Sequence, residues 1–180
     1  MGSCIILFIK EQELVMHRFA MNKLVEWKVS PRRKPLLMLG ARQVGKTWLM
    51  NEFGKTYFKN IAYIRFDKNK PMHAVFERDY DIQRILLALQ VQVGFPIDAK
   101  ETLIVFDEVQ ACAAALSSLK YFCEDAREYH LIAAGSLLGV SDQHGTGFPV
   151  GKVDRMFLYP MTFAEFLNAT GNEQMLELIK

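Results

Sequence analysis

The stretch from Leu36 to Phe53 constrains this chain more than any other. Leu36-Leu37-Met38-Leu39 is an apolar run that reads as a buried strand. Gly40-Ala41-Arg42-Gln43-Val44-Gly45-Lys46-Thr47 follows as Gly-x-x-x-x-Gly-Lys-Thr, and Trp48-Leu49-Met50-Asn51-Glu52-Phe53 reads as a helix. Strand, glycine loop and helix in that order are the context a phosphate-binding loop requires. Gly40 and Gly45 let the backbone turn sharply and approach an anion with no Cβ in the way. The amides from Arg42 to Thr47 then point inward as a nest at a helix amino terminus, where the dipole favours negative charge. Lys46 would add a point charge to the β- and γ-phosphates of a nucleotide, and the Thr47 hydroxyl would ligate Mg²⁺. Four fixed positions recur by chance in roughly one chain of this size in a few hundred. The flanks lower that further, so a tight strand-to-helix turn without a ligand is the weaker reading. The nucleotide-contacting set runs from Gly40 through Ala41, Arg42, Gln43, Val44, Gly45, Lys46 and Thr47 to Trp48.

One hundred and eighty residues suit one domain with a real core. Apolar residues at 51% and charged residues at 23% describe a globular, soluble chain. A net charge of +2 is too small to argue for nucleic acid or an anionic membrane. The three cysteines do not make a disulfide framework. Cys112 and Cys123 fall on one expected helix about 16 Å apart along its axis, too far to bridge. With Leu116 and Leu119 they form an i, i+4, i+7, i+11 stripe of buried small hydrophobes. A reduced, cytoplasmic compartment fits. The amino terminus, Met1 to Lys10, has an apolar run of only Ile5 to Ile9, too short to span a bilayer and without the features of a signal peptide.

Along the chain, Glu11 to Lys28 carries Leu14, Met21, Leu24 and Val25 in the pattern of an amphipathic helix, which Ser30-Pro31 ends. Arg32-Arg33-Lys34 is a basic turn, solvated by default and otherwise a phosphate or nucleic-acid contact. Gly54 marks the end of the helix after the glycine loop. Ile61 to Phe66 alternates as a strand. Asp81 to Val93 places Ile82, Ile85, Leu86, Leu89 and Val93 on one helix face, and Gly94-Phe95-Pro96 breaks it. Thr102 to Phe106 is a continuous apolar run, the mark of a parallel strand covered on both faces. A helix from Ala111 to Ala126 and a strand from His130 to Ala134 follow. Ser141 to Gly151 reads as a surface loop, Val153 to Tyr159 as a fifth strand, and Thr162 with Glu165 as a capping box opening a helix. The domain reading is an amino-terminal segment and helix over residues 1–30, a core over 31–160, and the start of a helical region over 161–180.

Alternating strands and helices imply a three-layer α/β fold around a mostly parallel sheet, whose ligands sit outside the carboxyl ends of the strands. Gly40 to Thr47, Asp107-Glu108 and Ser136 therefore converge on one edge. Asp107-Glu108 closes an apolar run sixty residues after the glycine loop, which is the hydrolytic form of the Walker B pattern. Asp107 would hold Mg²⁺ directly or through water, and Glu108 would polarise the attacking water as general base. Ser136 ends the next strand beside the expected γ-phosphate, where it would sense phosphate or orient water; a Gly-Ser turn is the alternative. Gln110 is a further candidate for that edge.

Five motifs in order resemble the AAA-type ATP-binding proteins of bacteria and archaea. They are Gly40 to Thr47, Leu103-Ile104-Val105-Phe106-Asp107-Glu108-Val109-Gln110, Ala134-Gly135-Ser136-Leu137-Leu138-Gly139, Phe148-Pro149-Val150-Gly151-Lys152-Val153, and Tyr159-Pro160-Met161-Thr162-Phe163-Ala164-Glu165-Phe166-Leu167. The resemblance runs from about Arg18 to the end. It implies an AAA+ core of the P-loop NTPase type with five strands in the order 5-1-4-3-2. It also implies Walker A at Gly40 to Thr47, Walker B at Asp107 and Glu108, sensor 1 at Ser136, and a basic position at Lys152 that contacts phosphate or is simply solvated. ATP and Mg²⁺ are the implied cofactors. Members of that group are longer, so a helical lid and a C-terminal domain are expected beyond Lys180. No arginine finger is assignable; Arg155 is the nearest candidate in cis, and a neighbouring subunit is another source.

Three functions compete on these grounds. The first is an ATPase whose hydrolysis moves a C-terminal domain or a partner, in a homo-oligomer or with another protein. The second is a nucleotide-gated binding module with negligible turnover. The third, a small-molecule kinase, lacks a lid arginine cluster, and Asp-Glu suits water activation better. Action on nucleic acid stays open without a basic, aromatic-interleaved stripe to support it.

Overall fold

Three of the apolar runs become the sheet's interior. The computed structural model describes residues 18–136 and 148–178. In it β1 (Leu36–Gly40), β3 (Thr102–Asp107) and β4 (His130–Ser136) are buried almost throughout, while β2 (Asn60–Arg65) and β5 (Asp154–Phe157) are half-exposed. The order is β2-β3-β4-β1-β5 and every described pairing is parallel, so the expected 5-1-4-3-2 sheet forms with no antiparallel member.

Alternation along the strands makes two cores. Leu37, Leu39, Ile104, Phe106, Leu131 and Ala133 face α3 (Lys70–Arg78), α4 (Ile82–Val93) and α5 (Ala113–Asp125). Leu36, Met38, Leu103, Val105, Ile132 and Ala134 face α1 (Ala20–Val29) and α2 (Lys46–Tyr57). The first core is knit by aromatic edges: Phe66 and Phe76 each meet Phe106 nearly perpendicularly at 5.4 Å between centroids. Such contacts add about 0.5–1.5 kcal/mol per pair beyond burial.

Several elements differ from their sequence reading. Among the described residues the first helix begins at Ala20, since Arg18 and Phe19 are not helical. Gly54 does not end α2; it lies inside it, buried, where an added Cβ would stand 2.5 Å from Ile61 Cδ1. Helix α3 was not expected at all. Asn69 caps it through Met72 N, and Pro71 sits in its first turn. The helix expected from Ala111 is a short 3₁₀ turn, Val109–Ala111, followed by α5, so Cys112 precedes the helix rather than lying on it. Cys112 and Cys123 are free and buried. The fifth strand is shorter than the Val153–Tyr159 expected.

Contacts divide the chain into two units, and all five strands with α1 to α5 belong to Ala20–Pro160. The described part of the other unit comprises Arg18, Phe19 and residues 161–178, with α6 (Phe163–Ala169) and α7 (Glu173–Leu178). There the Thr162–Glu165 capping box is complete, and the same Glu165 carboxylate accepts Arg18 Nε at 3.1 Å and the Phe19 amide at 2.8 Å. Burial raises the Glu165 pKa, but these donors outweigh it and hold the group below the usual carboxylate value. Met1 to Lys10, the amino-terminal part of the Glu11–Lys28 helix, Leu137-Leu138-Gly139 and most of the Ser141–Gly151 loop lie outside the described residues. No helix among the described residues is long and apolar enough to cross a membrane.

Candidate phosphate-binding site

The site is built where β1 gives way to α2. Gly40, last on β1, is in register with Ser136, last on β4. A Cβ on Gly40 would stand 2.4 Å from the Leu158 carbonyl oxygen, so the glycine is demanded by the chain leaving β5 as well as by the loop. Ala41, Arg42 and Gln43 are exposed, while Val44 is buried and anchors the loop in the α1/α2 core. Gln43 and Gly45 have positive φ, 64° and 92°. Gly45 then caps α2 without any side-chain acceptor, and the first helical bond runs from Leu49 N to Gly45 O at 2.9 Å. The amides of Lys46, Thr47 and Trp48 precede that bond and belong to the helix's electropositive end.

Lys46 is 8% exposed, and its Nζ donates to the Gly40 and Ala41 carbonyls at 2.9 and 2.7 Å. Burial lowers its pKa; the carboxylates of Glu108 and Asp107 oppose the drop. The lysine thus folds back across its own loop, as an ammonium does when backbone oxygens are its nearest acceptors.

Opposite it, β3 delivers Asp107, 2% exposed. Asp107 Oδ2 accepts the Thr47 hydroxyl at 2.8 Å and the Tyr63 hydroxyl at 2.5 Å, and Oδ1 accepts the Glu108 amide at 2.9 Å. Burial and the bond to Asp107 push the Tyr63 phenol well above its usual pKa, so it is a donor throughout the neutral range. Glu108 sits at φ 52°, ψ 43°, a left-handed conformation that costs a non-glycine residue about 1–3 kcal/mol. Its carboxylate is held by the Gln110 side-chain amide. Gly40 to Trp48, Asp107, Glu108, Gln110 and Ser136 therefore share the carboxyl edge of the sheet.

Other basic candidates lie at the opposite edge. Lys152 precedes β5 and forms a surface ion pair with Glu124 at 2.8 Å, its side chain 43% exposed. Arg155 is in register with Leu37, near the start of β1, and its guanidinium lies over the Phe148 ring at 4.9 Å. Arg33 donates to the Lys28, Arg127 and Glu128 carbonyls, which makes the basic turn a structural clasp. Two surface grooves of about 520 and 530 Å³, between α1 and β5 and between α3 and α4, contain no residue of the loop.

Tyr63 was missed by sequence reasoning. The signal was present only in combination: strand alternation puts Tyr63 on one face of β2, but its nearness to Asp107 follows from the β2–β3 register, Tyr63 opposite Val105 and Arg65 opposite Asp107.

The donor set suits a hard cation. Hydroxyl and carboxylate oxygens meet beside an amide-lined loop, and Mg²⁺ typically takes one or two protein oxygens with phosphate and water supplying the rest. Among the described residues no group of three or more His, Cys, Asp or Glu could hold a metal.

The family model for the AAA domain matches residues 32–167. Comparison with curated proteins gives no match. Among solved structures the chain is similar to the Aeropyrum pernix ORC1 protein in complex with DNA, at 12% identity and TM-score 0.52, over 91% of this chain and 50% of that one. It also matches C. elegans PCH-2 at 13% identity and TM-score 0.43, over 89% and 46% of the two chains. Unliganded Pif1 from Bacteroides sp. matches at 13% and 0.40, over 87% and 45%. The chain spans about half the length of these structures, and the ORC1 likeness speaks to the fold alone.

Proposed function

Because this chain belongs to the AAA domain family, whose members are nucleotide-binding domains of the ATPase type, we propose that it binds ATP with Mg²⁺ and hydrolyses it. The observation that carries the reading is the meeting of Thr47 Oγ1 and Asp107 Oδ2, 2.8 Å apart, at the amino end of α2 beside Lys46. In this reading the amides of the loop through Trp48 cradle the phosphates. Lys46 exchanges the carbonyls of Gly40 and Ala41 for phosphate oxygens. Thr47 and Asp107 hold the cation, which when bound neutralises charge on the β- and γ-phosphate oxygens. Glu108 accepts a proton from the attacking water, whose oxygen joins the γ-phosphorus as the bond to ADP breaks, giving ADP and inorganic phosphate. Ser136, level with Gly40, contacts the γ-phosphate or that water. The catalytic core is residues 31–160, acting in the cytoplasm, with hydrolysis moving a C-terminal domain or a partner, in a homo-oligomer or otherwise.

Replacing Glu108 by Gln tests the catalytic assignment. Steady-state phosphate release should fall about 10²–10⁴-fold, the usual worth of a general base, while nucleotide affinity persists. Unchanged turnover with binding retained contradicts it.

A second reading, a nucleotide-gated module with negligible turnover, has one observation in its favour: Gln110 already occupies the Glu108 carboxylate. Its mark would be tight binding and no phosphate release from the wild type, with release appearing in Gln110→Ala. Nothing in the site supports a nucleic-acid ligand in particular, and DNA belongs to the ORC1 structure rather than to this chain.

A further inference from the structure

We infer that Tyr63 is a positioning residue for the cation site, its hydroxyl fixing the direction in which the Asp107 carboxylate faces. The inference rests on the reading that Thr47 and Asp107 hold Mg²⁺. Tyr63, Val105 and Asp107 lie on the sheet face that α2 covers, because Tyr63 is in register with Val105 and side chains alternate along β3. The Tyr63 ring packs against that core and its hydroxyl reaches two residues further along, to Asp107 Oδ2 at 2.5 Å. Thr47 donates to the same oxygen at 2.8 Å, and the Glu108 amide holds the other at 2.9 Å. Two hydroxyls on one oxygen and an amide on its twin leave the carboxylate a single rotation.

That restraint matters because the site is sparse. Mg²⁺ demands near-octahedral geometry, and in this reading the described residues contribute one hydroxyl and one carboxylate. With so few ligands, each one's direction is decided by what holds it from behind, and loss of such outer partners typically costs about 10–100-fold in metal affinity. Thr47 cannot serve as that support, since it is itself a ligand; Glu108 N holds Oδ1 from one side, and Tyr63 holds Oδ2 from the other. Tyr63 is the side chain of the set that touches Asp107 without being placed to touch phosphate or cation.

Tyr63→Phe removes one oxygen and leaves the ring in its core. The probe is a fluorescent adenine nucleotide, titrated with Mg²⁺ into wild type and variant, with a parallel titration in EDTA. The Mg²⁺ concentration for half-maximal effect should rise about tenfold in the variant, while affinity in EDTA and Tm stay at wild-type values. In an Asp107→Asn background the same change should shift the midpoint no further, because the hydroxyl acts through that carboxylate. A midpoint that stays in place, or falls because the hydroxyl had competed with the cation, overturns the inference, as does a fall in Tm with no change in Mg²⁺ dependence. A wild type that binds nucleotide without any response to Mg²⁺ overturns the cation reading itself, and the role of Tyr63 with it.

Discussion

Single residues here answer to the sheet as much as to a ligand. Gly40 is required by the Leu158 carbonyl and Gly45 by its φ of 92°, so the two glycines of one motif are glycine for different reasons. His130 shows how burial makes one side chain a stability term. It opens β4 between the rings of Phe58 and Trp27, at 5.0 and 6.0 Å, with Nδ1 3.1 Å from the Ala99 carbonyl. Burial first, then the Arg33 guanidinium, pushes its pKa below the usual value. The unfolded chain titrates near about 6.5, so below that pH it binds a proton the folded chain refuses. The stability due to the neutral ring is therefore complete above about pH 6.5 and is lost as pH falls toward the lower folded value, by at most about 1.4 kcal/mol per pH unit. Thermal unfolding of wild type and His130→Gln between about pH 7.5 and 5 checks this; the variant should have the flatter profile. Parallel profiles would remove His130 from the account.

At the scale of elements, α2 shows where local rules and packing part. Glycine is a poor helix former, about 1 kcal/mol worse than alanine, which is why Gly54 reads as a stop. It is retained inside the helix because β2 passes too close: an added methyl would meet Ile61 Cδ1 at 2.5 Å and Cγ1 at 2.7 Å. Overpacking costs about 1–3 kcal/mol, so Gly54→Ala should destabilise despite its better propensity. In an Ile61→Ala background the worst of the crowding is gone, leaving Leu103 Cδ2 at 3.3 Å, and the same substitution should cost less, a coupling of at least about 0.5 kcal/mol in urea denaturation. Equal effects in both backgrounds would mean that the close approach does not matter. Helix α3 was missed for the complementary reason. Its nine residues between Asn69 and Asp79 are too few to show a period, although Asn69 and Pro71 announce its start in retrospect. By contrast β1, β3 and β4 were legible as apolar runs because both of their faces are covered. The edge strands, half-exposed, gave blurred limits.

At the scale of the whole molecule, parallel strands carry every chemically loaded turn to one edge, and that much follows from the order of elements. The sheet order itself came through the family resemblance, since several orders satisfy the same alternation. What the chain's letters could not reveal is pairing between strands distant in sequence. Tyr63 reaches Asp107 only through the β2–β3 register, and Lys152 is carried to the far edge by the direction of β5. The central claim is that the edge holding Gly40, Lys46, Thr47 and Asp107 grips a nucleotide triphosphate. Its most direct measurement is the affinity of a fluorescent adenine nucleotide, with Mg²⁺ present, for wild type and Lys46→Ala. Loss of the ammonium should weaken binding at least about tenfold, or roughly 1.4 kcal/mol, in a variant that still unfolds cooperatively. Equal affinity for the two proteins would contradict the account.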